Sequence, residues 1–187
     1  MRQSRTLASK YAMPLVLLAP ILVLTGCKAE SRGNPAPATT ATPSSPQATS
    51  PPGGNVFGDL KACDLLEPIT TTQGFSPAAS ETYESDNGCG ASKPRYGTVA
   101  VYLVPNEGVS AMKPDGGQLV PTKVGTRDAV EIPGGGGKGV CTIGISVSEN
   151  ARATITLGLS NGGTNEQSCT DARAIAEEIA PKLPQGS

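Results

Sequence analysis

The chain has 187 residues, which is enough for one folded domain beside shorter segments. It carries 15 Lys and Arg, 16 Asp and Glu and no His, which gives a formal net charge of −1. Without a basic cluster the chain is not expected to bind nucleic acid, because phosphates are neutralised by Lys and Arg. The lack of His removes the commonest general base and the commonest metal ligand from its possible chemistry.

Residues 1–26 are predicted to be a signal peptide. Arg2, Arg5 and Lys10 form a basic start, and an apolar run follows from Tyr11 to Leu24, which is the order found in secretory signals. The run is shorter than the roughly 20 apolar residues that a membrane-spanning helix needs. An uncleaved membrane anchor is the less favoured alternative.

The four residues Leu24-Thr25-Gly26-Cys27 end this run. They resemble the lipobox of bacterial lipoproteins, which implies cleavage before Cys27 and attachment of lipid to it. Two or more acyl chains hold a protein stably at a membrane, whereas one holds it only marginally. We therefore expect a lipid anchor on the extracytoplasmic face of the cell membrane, with the membrane as a partner.

Residues 27–55 are predicted to be a disordered linker that starts at the lipidated cysteine. The segment from Lys28 to Asn55 contains six prolines, and most of its other residues are Ala, Ser, Thr and Gly. A segment of this composition buries too little apolar surface to offset the entropy of ordering. It is interpreted as a spacer between the membrane and the domain.

Residues 56–187 are predicted to form a single α+β domain. Its first half should contain a short helix capped by Asp59, a second short helix over Ile69–Gln73, and a polar, turn-rich stretch over Ser76–Arg95. A strand is expected at Thr98–Val104, and another at Asp128–Ile132 after a loop.

Two strands with alternating apolar residues follow, at Cys141–Ser148 and Arg152–Leu159. Their alternating apolar residues have odd numbers, so a hairpin must pair odd positions with odd ones. A three-residue loop, Glu149-Asn150-Ala151, satisfies this condition and places Ile145 opposite Ile155. The hairpin would then present one continuous apolar face.

The last helix is expected to start near Ser168, which has capping-box spacing to Asp171. Its apolar side chains recur at helical spacing and form one stripe: Ala172, Ile175, Ala176, Ile179 and Leu183. Packing this stripe on the hairpin predicts a small antiparallel sheet with packed N- and C-terminal helices in two layers.

Four cysteines remain after Cys27, namely Cys63, Cys89, Cys141 and Cys169. An even number in an exported chain predicts two disulfides, for which three pairings are possible. We favour Cys63–Cys89 and Cys141–Cys169, because the second bond would join the start of a strand to the start of the helix that packs on it. A zinc site is the alternative, but the chain lacks the Cys-x-x-Cys pair typical of such sites. No metal or cofactor is expected.

The order of the cysteine blocks carries a family resemblance. The blocks are Ala62-Cys63-Asp64-Leu65-Leu66, Val124-Gly125-Thr126-Arg127-Asp128-Ala129-Val130, Val140-Cys141-Thr142-Ile143 and Cys169-Thr170-Asp171-Ala172-Arg173-Ala174-Ile175-Ala176. They are similar to those of the actinobacterial lipoprotein family called domain of unknown function 3558. The resemblance implies an exported α+β domain with two disulfides. It implies no activity and no catalytic residues.

Several features that suggest chemistry lack the required spacing. The glycines at 134–137 before Lys138 lack the first Gly and the Ser or Thr of a phosphate-binding loop. Glu177 and Glu178 are adjacent on a helix and point about 100° apart, so they cannot flank one glycosidic bond. Three tyrosines could line a ligand groove, namely Tyr83, Tyr96 and Tyr102. Packing in the core is the commoner arrangement for such side chains.

Two hypotheses for the function remain. The first is a non-enzymatic module at the cell envelope that binds a small ligand or another envelope protein, which the tether, the spacer and the lack of a catalytic set favour. The second is an envelope hydrolase or transferase that acts through Asp and Glu alone. A groove lined by apolar side chains would favour binding, whereas two carboxylates roughly 5–9 Å apart in a concave site would favour the enzyme.

Overall fold

The structure is a computed structural model that describes residues 55–185. This part of the chain contains seven β-strands, two α-helices and single 3-10 turns at Val109–Ala111 and Ala180–Lys182. In chain order the strands and helices are α1 Ala62–Gln73, β1 Ala79–Glu81, β2 Gly88–Lys93, β3 Gly97–Val104, β4 Val120–Val124, β5 Arg127–Pro133, β6 Val140–Ser148, β7 Ala151–Leu159 and α2 Asn165–Ile179.

All seven strands form one sheet in the order β1-β2-β3-β7-β6-β5-β4. Every neighbouring pair is antiparallel, which confirms the antiparallel α+β class. The hairpin of β6 and β7 occupies the middle of the sheet, because β7 pairs with β3 and β6 pairs with β5 on their other sides. The sheet is larger than predicted, since β1, β2 and β4 were not expected.

Strand β2 has the composition of a turn because close packing requires small residues there. A Cβ atom at Gly88 would overlap the ring of Tyr102, and one at Gly90 would overlap the carboxylate of Glu81. Glycine permits this close approach at the cost of weak strand propensity. The prediction of turns over Ser76–Arg95 was therefore wrong where β1 and β2 lie.

The register of the central hairpin differs from the predicted one by two residues. Ile143 lies opposite Ile155, and Ile145 lies opposite Ala153. The loop is two residues long rather than three, and the pairing is irregular between Ser146 and Ser148. This bulge absorbs one residue. Odd positions therefore still pair with odd ones, and the predicted apolar face is preserved.

Helix α2 begins earlier than predicted. The side chain of Thr164 caps it by accepting a hydrogen bond from the Gln167 amide. Ser168, the predicted cap, is instead buried within the first turns and donates to the Asn165 carbonyl. Thr164 and Gln167 themselves have capping-box spacing, so the correct signal was present one helical turn upstream of the predicted cap.

Helix α1 is one continuous helix where two short ones were predicted. Pro68 lies inside it rather than at the start of a second helix. Leu65, Leu66 and Ile69 are buried on either side of the proline, and this burial offsets the lost backbone hydrogen bond. Gly74 ends the helix in a left-handed conformation with a φ of 73°.

One buried cluster unites side chains of both helices with those of one face of the sheet, called the inner face below. Two disulfides cross this cluster. Cys63 in α1 is bonded to Cys89 in β2, and Cys141 in β6 is bonded to Cys169 in α2. These are the two pairs that the sequence favoured.

Two further contacts hold α2 in place. Tyr96, which precedes β3, donates a hydrogen bond of 2.7 Å to the Asp171 carboxylate. The guanidinium of Arg127, at the start of β5, donates to the carbonyls of Ala180, Leu183 and Pro184 beyond the end of the helix. The last carbonyls of a helix lack amide partners further along the same helix, so Arg127 satisfies carbonyls at this end and fixes the C-terminal end of α2 to the start of β5.

We expect either disulfide to contribute about 3 to 4 kcal/mol to the free energy of unfolding, because it closes a loop of moderate length in the unfolded chain. The sequence separations are 26 and 28 residues. The double variants Cys63→Ala/Cys89→Ala and Cys141→Ala/Cys169→Ala should each lose this amount in guanidinium unfolding. An unchanged unfolding midpoint in either variant would contradict the role assigned to that bond.

We also expect stability to fall above pH 10 through two tyrosines. Burial, and then the hydrogen bonds to Asp171 and Glu81, raise the pKa values of Tyr96 and Tyr102 above the usual 10.0. Above that pH the unfolded phenols lose protons that the folded ones keep, so the free energy of unfolding decreases as pH rises.

The measurement is denaturant unfolding at about pH 9 and about pH 11, on either side of the ordinary tyrosine pKa. Between the two pH values, the free energy of unfolding of the double variant Tyr96→Phe/Tyr102→Phe should decrease less than that of the natural chain. Tyr83→Phe, at an exposed position, serves as the control and should behave like the natural chain. Equal losses in all three proteins would refute the assignment.

Candidate functional site

A groove runs between α2 and β5, with a volume of about 590 Å³. This size lies within the range typical of small-molecule sites. We call it the α2 groove. Its lining residues are Glu131, Pro133, Asn165, Glu166, Cys169, Thr170, Arg173, Ala174 and Glu177.

The groove exists because two neighbouring faces of α2 differ in burial. Its lining residues in α2 recur at spacings of three and four, from Glu166 to Glu177, so they form one stripe along the helix. The neighbouring stripe, which includes Ala172 and Ile175, is buried in the core. The lining stripe therefore lies at the edge of the core, where it faces β5 across the groove.

The middle of the groove is built around an ion pair. Arg173 of α2 pairs with Glu131 of β5, and its guanidinium also donates to the Thr122 hydroxyl in β4. Glu131 lies opposite Ile143, so its carboxylate is on the inner face, where only 14% of its side chain is exposed. Arg173 therefore links α2 to both β4 and β5. The contact lies at the boundary between the hydrophobic core and the groove.

The groove has an apolar floor and a mostly acidic border. Pro133, Ala174 and the half-cystine Cys169 contribute its apolar surface. Three carboxylates and one guanidinium line it, and the guanidinium is already paired with Glu131. The exposed carboxylates of Glu166 and Glu177 therefore give the site a net negative charge, which favours a cationic group on an apolar ligand.

The concave surface continues beyond the α2 groove. A second cavity of about 470 Å³ shares Glu177 with it and extends past the end of the helix. Val124, Arg127 and Pro181 are among its lining residues. Arg127 also fixes the end of α2, so the wall of this second cavity has a defined shape.

The predicted cysteines do not provide a metal site in the described residues. A carboxylate oxygen of Glu131 and the sulfurs of Cys141 and Cys169 lie within 4.8 Å of one another. The two sulfurs are bonded to each other, and Glu131 is paired with Arg173. The cluster therefore offers no thiolate, which is the form of cysteine that binds metal ions.

The three tyrosines that could have lined a groove do not converge: the rings of Tyr83 and Tyr102 are neighbours, with centroids 6.5 Å apart, and Tyr96 packs elsewhere. Tyr102 is buried in β3 and donates a hydrogen bond to Glu81. Tyr96 packs edge-on against Phe75 at 5.6 Å between ring centroids, while Tyr83 is 86% exposed. They do not form one site, and the α2 groove contains none of them.

Arg152 is a structural residue that the sequence did not reveal. It is buried on the outer face of the sheet and makes ion pairs with Glu84 and Glu107. Its guanidinium also donates to the carbonyls of Glu107 and Gly108 and to the Thr154 hydroxyl. In the alternating pattern of β7, Arg152 is a polar position between apolar ones, and the fold buries it where it anchors the loop after β3 to the sheet.

Other predicted features lie outside the described residues. These are the signal peptide, residues 1–26, the lipid-attachment residue Cys27 and the linker up to residue 54. Within residues 55–185, neither helix has the length and apolar character that crossing a membrane requires.

Comparison with known proteins identifies the family. No curated protein and no solved structure matches the chain. The model of one family, described as a protein of unknown function (DUF3558), matches residues 22–182. This match covers most of the chain and includes both cysteine pairs, so the chain belongs to the DUF3558 family.

Proposed function

We propose that the protein is a non-enzymatic binding module held at the cell envelope by a lipid anchor, and that the α2 groove is its binding site. The observation that carries this proposal is the groove itself, which combines ligand-sized volume with an apolar floor. Disulfide Cys141–Cys169 and the pair of Arg173 with Glu131 hold its two walls together. A site held in this way needs little reorganisation on binding.

The proposed ligand has an apolar body and a cationic group. The apolar body would cover Pro133, Cys169 and Ala174, and the cation would lie near Glu166 or Glu177. An amphiphile or a basic peptide segment of an envelope protein has this chemistry. A charge contact at an exposed position contributes up to about 1 kcal/mol, so burial of the apolar body supplies most of the affinity.

The arrangement of the groove supports binding over catalysis. Glu131, its least exposed carboxylate, is paired with Arg173 and so cannot serve as a free acid or base. Glu166 and Glu177 are eleven positions apart on one helix, which corresponds to about 16 Å along the axis. The two carboxylates of a glycosidase lie within roughly 10 Å of each other.

The leader and linker support the envelope location. Lipid at Cys27 would anchor the chain, and residues 28–55 would separate the domain from the membrane. An extended proline-rich segment of this length reaches about 85 Å at about 3.1 Å per residue. The domain would then lie at a distance from the lipid headgroups.

We expect decyltrimethylammonium to bind in the α2 groove of the isotopically labelled full chain at concentrations below micelle formation. Amide resonances of Ala174 and Glu177 should shift, and decyl sulfate should bind about twofold to fivefold more weakly because of the groove's negative charge. Ala174→Trp should abolish these shifts, because Ala174 is exposed on the groove wall and the indole would fill the space.

Two adjacent glutamates provide a matched control. Glu177 lines the groove, whereas Glu178, also exposed on α2, does not. Glu177→Gln should weaken the cationic ligand about twofold, and Glu178→Gln should leave its affinity unchanged. Equal affinity of Ala174→Trp and the natural chain would refute the groove as the binding site.

We expect a clickable palmitate analogue to label the full chain in cells that express it, and Cys27→Ala to remain unlabelled. The two disulfides use the other four cysteines, so Cys27→Ala removes the proposed attachment residue and leaves both bonds in place. Cys27→Ala should also move from the membrane to the soluble fraction on ultracentrifugation. Equal labelling of both proteins would exclude the proposed anchor.

A further inference from the structure

Another concave surface lies around two glycine-rich loops and differs in chemistry from the α2 groove. Its volume is about 630 Å³, and we call it the glycine-loop pocket. It shares Pro133 and Asn165 with the α2 groove. Its other lining residues are Tyr83, Asp115, Gly116, Gly134, Gly136, Gly137 and Lys138.

The two loops that form the pocket are fastened to each other. The Gly136 amide donates to the Asp115 carbonyl at 3.0 Å, and the Gly137 amide donates to the Gly134 carbonyl at 2.9 Å. At the base, the Asn165 side chain accepts from the Gly139 amide at 2.7 Å. These bonds hold the backbone of both loops in one arrangement, so the pocket is preformed.

Several residues of the pocket have backbone conformations that side chains disfavour. Asp115 has a φ of 42°, and Gly136 and Gly137 have φ values of 90° and 128°. A non-glycine residue in the left-handed region is uncommon, and such conformations cluster at functional sites. Asp115 lines the pocket, and one of its carboxylate oxygens lies 4.0 Å from where a Cβ atom on Gly136 would be.

An exposed aromatic ring stands at the border of the pocket. Tyr83 is 86% exposed, and among the described residues it is the most exposed of the large apolar side chains. Its ring centroid lies 6.5 Å from that of the buried Tyr102, which supports it from one side. The other side of the ring is available to stack against the apolar face of a ligand.

The polar groups of the pocket suit hydroxyl groups. Asp115 offers acceptors, Lys138 offers donors, and Asn165 offers both in a planar amide. Asp115 and Lys138 carry opposite charges, so the pocket has no net charge from its side chains. A neutral ligand rich in hydroxyl groups, with an apolar face for Tyr83, has the matching chemistry, and a pyranose ring is such a ligand.

We infer that the glycine-loop pocket binds a neutral saccharide, with one sugar ring stacked on Tyr83 and its hydroxyl groups bonded to Asp115 and Asn165. Tyr83 and Asp115 line this pocket and not the α2 groove, and Asn165 lines both, so the inference rests mainly on residues outside that groove and does not depend on the function proposed for it. It adds a carbohydrate ligand to the module.

The test is titration of the labelled full chain with four neutral tetrasaccharides: cellotetraose, maltotetraose, mannotetraose and N,N′,N″,N‴-tetraacetylchitotetraose. At least one should shift the amides of Gly136, Gly137 and Asn165, with a dissociation constant of about 1 mM or tighter. The comparison among the four neutral sugars identifies the preferred ring.

Three variants distinguish saccharide binding in this pocket from binding elsewhere on the domain. Tyr83→Ala should weaken the saccharide about tenfold, a loss of about 1.4 kcal/mol, and Tyr83→Phe should retain the affinity, because stacking needs only the ring. Ala174→Trp should bind the saccharide normally, since Ala174 lies in the α2 groove alone. Failure of all four sugars to shift the loop amides, or equal affinity of Tyr83→Ala, would overturn the inference.

Discussion

The Cys141–Cys169 disulfide is the constraint on which the α2 groove depends. It joins β6, in the middle of the sheet, to the second turn of α2. Because Cys141 lies opposite Pro133 of β5, the bond sets the distance between α2 and that strand. The pair of Arg173 with Glu131 and the clamp of Arg127 on the last carbonyls fix the rest of the helix. The α2 groove is the space that these three contacts leave open.

The two concave surfaces meet at one corner of the domain. Pro133, at the end of β5, and Asn165, at the start of α2, line both of them. The α2 groove is apolar and acidic, whereas the glycine-loop pocket is polar and carries balanced charge. Under the proposed functions, one corner of a tethered domain presents two complementary kinds of binding surface, and the linker determines how far this corner reaches into the envelope.

The sequence predicted the parts of the fold that depend on periodicity. Alternation in β6 and β7 identified the central hairpin and its inner face. The even number of cysteines predicted two disulfides, and the expected packing of the last helix on the hairpin favoured the observed pairing among the three possible ones. The exact register was not predictable, because the bulge near Val147 depends on tertiary packing and leaves no pattern. The start of α2 was predictable, since Thr164 and Gln167 have the spacing of a capping box.

The site was harder to predict than the fold. Glu131 lies two positions after the buried Ala129 and therefore on the same inner face, and Arg173 lies beside the buried stripe of α2. Each is an ordinary charged residue in sequence, and only the fold brings them together. Likewise, the pocket at 134–137 is formed by contacts with the loop at Asp115, whose partner no spacing rule reveals.

The most direct test of the α2 groove as a binding site is site-specific photo-crosslinking in cells that express the full chain. A photoreactive residue at position 174, in the α2 groove, is compared with one at position 71, which is exposed on α1 outside it. We predict a discrete adduct from position 174 that is absent from position 71 and is lost on adding excess decyltrimethylammonium. Equal adducts from both positions, or none from position 174, would contradict the claim that the groove is a binding site.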